Sequence, residues 1–216
     1  MNVNEIFESI DGEGLRTGEL VTFVRLAGCN MRCRYCDTSY ALETSNGEIM
    51  EIYKIVESIK KLGNKKITIT GGEPLIHKNI GDLIDSLNDC KINIETNGSV
   101  DIEPYISLDN VLITMDYKTK SSGENGKMRL SNLPLLREND VLKIVMSGND
   151  KNEVFDLLNE YEIKSYIYLS PIFEECKPTE LVEFLKELKL AGLNTDKIRV
   201  QVQLHKIIWN PNERGV

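Results

Sequence analysis

Short β-branched runs recur along the chain, and most are followed by a stretch whose apolar residues fall at helical spacing. Runs of strand type occupy residues 21–26, 66–70, 92–95, 111–115, 141–146, 165–169 and 198–202. Helical patterns occupy 48–62, 80–87, 152–161 and 179–190. In the first of these Ile52, Ile55, Ile59 and Leu62 make one apolar stripe and Gly63 supplies a stop, while Gly192 stands just beyond the last. Strands alternating with helices predict right-handed crossovers and a mainly parallel sheet, either partly closed into a barrel or open and doubly wound. In both architectures ligands bind at the carboxyl ends of the strands. The unusual residues fall there. Three cysteines follow the first strand, Gly-Gly-Glu-Pro (71–74) the second, and Glu-Thr-Asn-Gly (95–98) the third. Asp-Tyr-Lys (116–118) follows the fourth, Ser-Pro-Ile-Phe (170–173) the sixth and Gln-Leu-His (203–205) the seventh. The stretch 121–127, SSGENGK, reads as a loop inside the domain.

With 216 residues the chain predicts one domain, 1–216, with short terminal extensions. At 41% hydrophobic and 28% charged residues it can bury a core without staples. No apolar run reaches the roughly 18–20 residues of a membrane span, and the polar start does not read as a signal peptide, so the expected compartment is the cytoplasm. The net charge of −8, with no long basic run, disfavours a nucleic-acid partner.

The cysteines narrow the chemistry. Five are present, an odd number that argues against a disulfide framework. Cys29, Cys33 and Cys36 are separated by three residues and then two, so one loop can wrap three sulfurs around an inorganic centre. A structural zinc site needs four ligands, and no second Cys or His pair lies nearby. Cys90 and Cys176 are isolated and read as small buried hydrophobes. On a four-iron cluster, three thiolates leave one iron open to a small chelating molecule.

The triple spacing, with Tyr35 before the last cysteine, resembles the radical S-adenosylmethionine superfamily, and Gly-Gly-Glu-Pro after a strand strengthens the likeness. The resemblance implies a 4Fe-4S cluster on Cys29, Cys33 and Cys36. It also implies S-adenosylmethionine on the open iron, cleaved by one electron to a 5′-deoxyadenosyl radical. Residues 6–14 (IFESIDGEG), 23–29 (FVRLAGC), Cys36-Asp37-Thr38, 95–98 and the tail 203–216 are similar, more narrowly, to the 7-carboxy-7-deazaguanine synthase family, in a clostridial-type branch. That family's fold is a partial (β/α) TIM-like barrel trimmed in helices. Its reaction converts 6-carboxy-5,6,7,8-tetrahydropterin to 7-carboxy-7-deazaguanine by radical ring contraction with loss of ammonia, a step of queuosine biosynthesis.

The resemblance assigns roles to matching positions. Ile10, Asp11, Gly12, Arg25, Thr70, His205 and Val216 correspond to substrate contacts, with Arg25 suited to a carboxylate through its planar fork. Thr38 corresponds to a ligand of Mg2+, a hard cation that takes few protein oxygens. Tyr35, Cys36, Asp37, Gly72, Asp116, Tyr117, Lys118, Ser170, Pro171, Ile172 and Phe173 correspond to positions lining S-adenosylmethionine. Two departures stand out. Asp11 replaces a glutamine of many relatives, and Asp116-Tyr117 replaces Ser-Pro, so only Lys118 of that triplet transfers directly. The family implies a homodimer and an electron donor such as flavodoxin or ferredoxin.

Two other functions share part of this pattern. An activase that installs a glycyl radical on a partner protein carries the same cysteine spacing, and a zinc-binding module is the non-enzymatic alternative. Among the remaining residues, His77 reads as a solvated helix-start residue and Trp209 as a cover for the core or a subunit contact. The Glu174-Glu175 pair and the lysines at 60–61 and 65–66 read as solvated faces.

Overall fold

The computed structural model describes every residue except Asn212. The described residues form nine strands in one sheet: β1 (Asn2–Ile10), β2 (Leu20–Leu26), β3 (Glu48–Ile49), β4 (Lys66–Gly71), β5 (Lys91–Thr96), β6 (Val111–Lys118), β7 (Val141–Met146), β8 (Tyr166–Pro171) and β9 (Ile198–Val200). The spatial order is β3-β1-β2-β4-β5-β6-β7-β8-β9. From β2 through β9 every neighbouring pair is parallel, whereas β1 runs antiparallel to both β2 and β3. The seven parallel strands are those the sequence predicts. The sheet curves without closing, as a partial barrel.

The helices α1 (Ile52–Leu62), α2 (Ile80–Asp85), α3 (Lys151–Glu160) and α4 (Pro178–Leu190) follow β3, β4, β7 and β8, and a last turn, α5 (His205–Ile208), lies near the C-terminus. In α1 the fully buried Ile55 and Ile59 sit one turn apart and face the sheet, and Gly63, at φ +83°, ends the helix by donating its N–H to the Ile59 carbonyl. The predicted helix start at 48 is corrected: Glu48 and Ile49 pair with β1 as an edge strand, and the helix begins at Ile52. No α-helix links β5 to β6 or β6 to β7. There the connecting segments cover the sheet with Ile102, Leu133 and Leu136, and Arg137 satisfies the carbonyls of Ile106, Leu108 and Val111 by donating to them.

Strand alternation sorts the chemistry. Ile67, Ile69, Ile92, Ile94, Ile113, Met115, Leu142 and Ile144 join the apolar core, whereas Thr70, Glu95, Thr114, Asp116, Lys118 and Lys143 line a cavity on the other side. Parallel strands buried on both faces usually read as unbroken apolar runs; these alternate because one face borders a polar cavity. Cys90 and Cys176 are buried in the core, as expected of small hydrophobes.

Across the open side of the barrel, the Gln201 side chain takes the place of a strand partner. Its Oε1 accepts from the Gly14 N–H at 2.6 Å, and its Nε2 donates to the Gly14 carbonyl at 3.2 Å and to Thr17 at 2.8 Å. Leu204 N–H then donates to the Gly12 carbonyl, so the C-terminal segment returns against the loop after β1.

Candidate active site

The cavity has a volume of about 630 Å3 and opens at the carboxyl ends of the parallel strands. Cys29, Cys33 and Cys36 lie along it in the loop after β2, and the loops that follow other strands hold that loop in place. Asn30 donates to Ser99 after β5. The Arg32 and Arg34 backbone N–H groups donate to Glu124 and Ser122 after β6, and Tyr35 Oη donates to the Val145 carbonyl of β7. The Arg34 guanidinium takes both oxygens of Glu175, at 2.6 and 2.8 Å, in a bidentate pair. Glu175 is exposed, as its sequence context predicts, and makes this pair at the surface.

The Gly-Gly-Glu-Pro turn locks into the same loop. Gly71 adopts φ +139°, and a Cβ there would overlap the Leu26 carbonyl oxygen; one on Gly72 would overlap that of Gly28. Glycine at both places lets β4 pass close to the start of the cysteine loop, and Gly72 also lines the cavity. Glu73 is fully buried and gathers Leu75 N–H, Thr96 Oγ1 and Asn97 N–H at 3.0, 2.8 and 2.6 Å, tying residues 71–74 to 95–98. Burial pushes its carboxyl up to about 7 in spite of these donors. Asn97 in turn donates to Cys29 Sγ at 3.7 Å, and Met31 N–H approaches the same sulfur at 3.4 Å.

Burial raises the Cys29 and Cys33 thiols, opposed at Cys33 by the Lys118 ammonium, so losing their protons is coupled to gaining a cation. Among the described residues no three His, Cys, Asp or Glu side chains converge closely enough to hold a single metal ion. A polynuclear cluster asks for something different, one thiolate per iron along a loop, and the cysteine loop meets that demand with donors already directed at Cys29.

On the cavity wall Arg25 gives its Nε to Glu5 at 2.7 Å and lies 5.8 Å from the Phe7 and Tyr40 rings. Arg214 stacks on Tyr40 at 3.9 Å. Lys143, 3.0 Å from Glu13 and 3.1 Å from Asp116, and Lys118, 2.7 Å from Asp116, form a buried ionic chain. Nearer the C-terminus, the upward push of burial on Asp37 is outweighed by Lys206 at 3.1 Å, which holds the carboxyl down to about 2. His205 sits over Gly12, whose missing Cβ leaves the space its ring fills, and burial lowers the imidazole.

Of the positions named from sequence, Ile10, Asp11, Gly12, Arg25, Cys29, Cys33, Tyr35, Cys36, Asp37, Thr38, Thr70, Gly72, Asp116, Lys118, Ile172, Phe173, His205 and Val216 all line this one cavity. Three do not. Tyr117 points to the other face of β6, where its hydroxyl donates to Glu153 at 3.2 Å; Ser170 and Pro171 are buried at the end of β8. His77 is half-buried, within 3.1 Å of the Ala27 carbonyl rather than solvated. No role was read from the sequence for Glu13, Glu95, Lys143, Gln203 or Lys206, all on the cavity wall, although Glu13, Glu95 and Gln203 fall inside motifs that stand out there. For Glu95 and Lys143 the available signal was the alternation in INIE and LKIV, which sets the polar members on one face.

A model of the Radical SAM superfamily matches residues 23–119, which hold all three clustered cysteines. The 7-carboxy-7-deazaguanine synthase of Clostridium acetobutylicum is 41% identical, over 99% of this chain and 98% of that protein. The chain belongs to the 7-carboxy-7-deazaguanine synthase family. Its member from Leptospira interrogans is 32% identical over the full length of this chain and 98% of its own. The fold agrees with the crystal structure of QueE from Escherichia coli, at a TM-score of 0.70 and 22% identity, covering 94% of each chain. Within the family frame, the radical S-adenosylmethionine core accounts for the cysteine loop, and the family-wide similarity extends through the termini that complete the cavity.

Proposed function

We infer that this chain is a 7-carboxy-7-deazaguanine synthase, acting as one catalytic domain on 6-carboxy-5,6,7,8-tetrahydropterin. One observation carries the reading: a single cavity runs from the three-cysteine loop to a polar floor containing Asp11, Arg25 and Thr70 and is bordered by Val216 at the C-terminus. Cys29, Cys33 and Cys36 would hold the 4Fe-4S cluster, with S-adenosylmethionine along Tyr35, Asp37, Gly72, Asp116, Lys118, Ile172 and Phe173. When bound, cluster and S-adenosylmethionine supply the carbon radical that starts the ring contraction.

The chain's own residues bind, orient and shield. Arg25, its Nε fixed by Glu5, offers its terminal amino groups to the substrate carboxylate. Thr38, 3.8 Å from Cys36, would give its hydroxyl to Mg2+. The lysine–carboxylate chain of Lys143 and Lys118 keeps fixed charges at the wall, and the C-terminal segment with His205 and Val216 limits water at the reacting ring. A flavodoxin or ferredoxin serves as electron donor. The protein works as a homodimer in the cytoplasm, with the exposed Ile207 and Ile208 beside the C-terminus supporting a subunit contact. Among the described residues no helix is long and apolar enough to cross a membrane.

Anaerobic reconstitution followed by incubation with the carboxytetrahydropterin, S-adenosylmethionine, Mg2+ and reductant tests this. Formation of 7-carboxy-7-deazaguanine without net consumption of S-adenosylmethionine is expected. No product from a protein with an intact cluster contradicts the reading.

A further inference from the structure

Among the described residues, two carboxylates on the cavity floor, Asp11 and Glu95, make no salt bridge with a lysine or arginine. Asp11 is 1% exposed and accepts a hydrogen bond from Thr68 Oγ1 at 3.0 Å, and Glu95 accepts one from Thr70 Oγ1 at 2.8 Å. Thr68 and Thr70 are two residues apart on β4, so their side chains leave the same face of the strand and set the two acids in adjacent layers. The nearby lysines are already engaged. Lys143 bridges Glu13 and Asp116, and Lys118 pairs with Asp116. With Asp11, Glu13, Glu95 and Asp116 ionised against Lys118, Lys143 and Arg16, the floor would carry an excess of one negative charge in a largely buried setting.

We propose that Asp11 and Glu95 hold one proton between them at neutral pH, resident on Asp11, so that the floor presents one carboxylic acid donor beside one carboxylate acceptor. Such a pair is matched by a heterocycle edge that sets a ring carbonyl beside an N–H, the lactam edge of a pterin: Asp11 donates to the carbonyl and Glu95 accepts from the N–H. This part rests on the function inferred above; the protonation itself does not. The groups facing Asp11 are Glu13 and Arg16 from its own loop, Thr68 from β4, Glu95 from β5 and His205 across Gly12. Arg16 is the one cation among them that favours the ionised acid, and its guanidinium is held by the Ile67 carbonyl at 3.2 Å. Burial, followed by the charge of Glu95, lifts Asp11 from 3.8 to about 7, in keeping with the geometry.

Infrared difference spectra of the anaerobic holoenzyme, wild type against Asp11→Asn, read the proton directly. A neutral carboxylic acid band present at pH 6, lost at higher pH and missing from the variant is expected. No acid band at pH 6 in the difference between wild type and variant, where the shared Glu73 contribution cancels, overturns the proposal, whatever the enzyme's substrate. Thr68→Val, which removes a donor to the ionised acid, should move the loss of that band to higher pH; a shift to lower pH also contradicts it. If the carboxytetrahydropterin is the ligand, its affinity should fall about tenfold per pH unit once Asp11 ionises, and Asp11→Asn should flatten that dependence. A normal acid band combined with pH-independent affinity would retain the shared proton and reject its role in reading the lactam edge.

Discussion

On β5, Ile92 and Ile94 turn toward the helices, and Asn93 and Glu95, one residue along in each case, turn toward the interior of the barrel. The same contrast repeats on β4, β6 and β7. One face of the sheet is aliphatic and dry, packed under α1 to α4. The other carries hydroxyls, amides, carboxylates and lysines that satisfy one another across strands, as where Thr114 donates to Asn93 at 2.9 Å. The difference shows how a small chain separates two tasks. The dry face supplies the stabilisation, at about 25 cal/mol for each Å2 of apolar surface removed from water. The polar face is left free to be shaped for a ligand.

The largest expected effect is on the polar side. Cys33→Ala should abolish turnover and prevent correct cluster assembly, while the thermal unfolding midpoint moves by only a few degrees, because the apolar face does not involve that thiol. Global unfolding of the variant, seen by circular dichroism, would show that the two faces are not independent. The mirror experiment is Ile94→Ala, expected to cost about 2–5 kcal/mol in denaturant unfolding with turnover per folded molecule preserved. A variant of undiminished stability but poor activity would invert the assignment.

A smaller effect tests the junction between the faces. Glu73 keeps its proton up to about 7 in the folded chain, whereas the unfolded chain gives it up near 4.5. Between those values the folded state holds more protons, so this group makes stability fall as pH rises and then level off above about 7. Glu73→Gln should flatten that fall, at a fixed cost of about 1–3 kcal/mol from a backbone donor left without its acceptor. A pH profile unchanged in the variant would contradict the buried acid. The smallest effect belongs to the surface: Lys65→Ala, which removes an exposed pair with Asp89, should change stability by no more than about 1 kcal/mol.

The parallel strands were legible because each is a compact β-branched run bounded by polar residues. Strand β1 was not: NVNEIFESI mixes charges with apolar residues, and it becomes a strand through its antiparallel register with β2, such as Phe7 opposite Phe23. Glu48 and Ile49 were absorbed into the periodic stripe that begins at Ile52, since a two-residue edge strand has no period of its own. At the site, contiguous motifs carried the cysteines, the glycine turn and the C-terminal tail. The ionic chain from Glu13 through Lys143 to Asp116 spans 130 positions at its longest link, and only the barrel brings its members together. Tyr117 shows the converse. Strand alternation sets it opposite Asp116 and Lys118, although all three belong to one sequence motif.

The open coordination site on a three-thiolate cluster is best probed by electron paramagnetic resonance of the reduced, reconstituted protein before and after S-adenosylmethionine is added. The account predicts a reduced four-iron signal whose g values shift when the cofactor binds, with the shift lost in Cys33→Ala. A signal that stays the same, or one that shows a protein side chain already on the fourth iron, would contradict it.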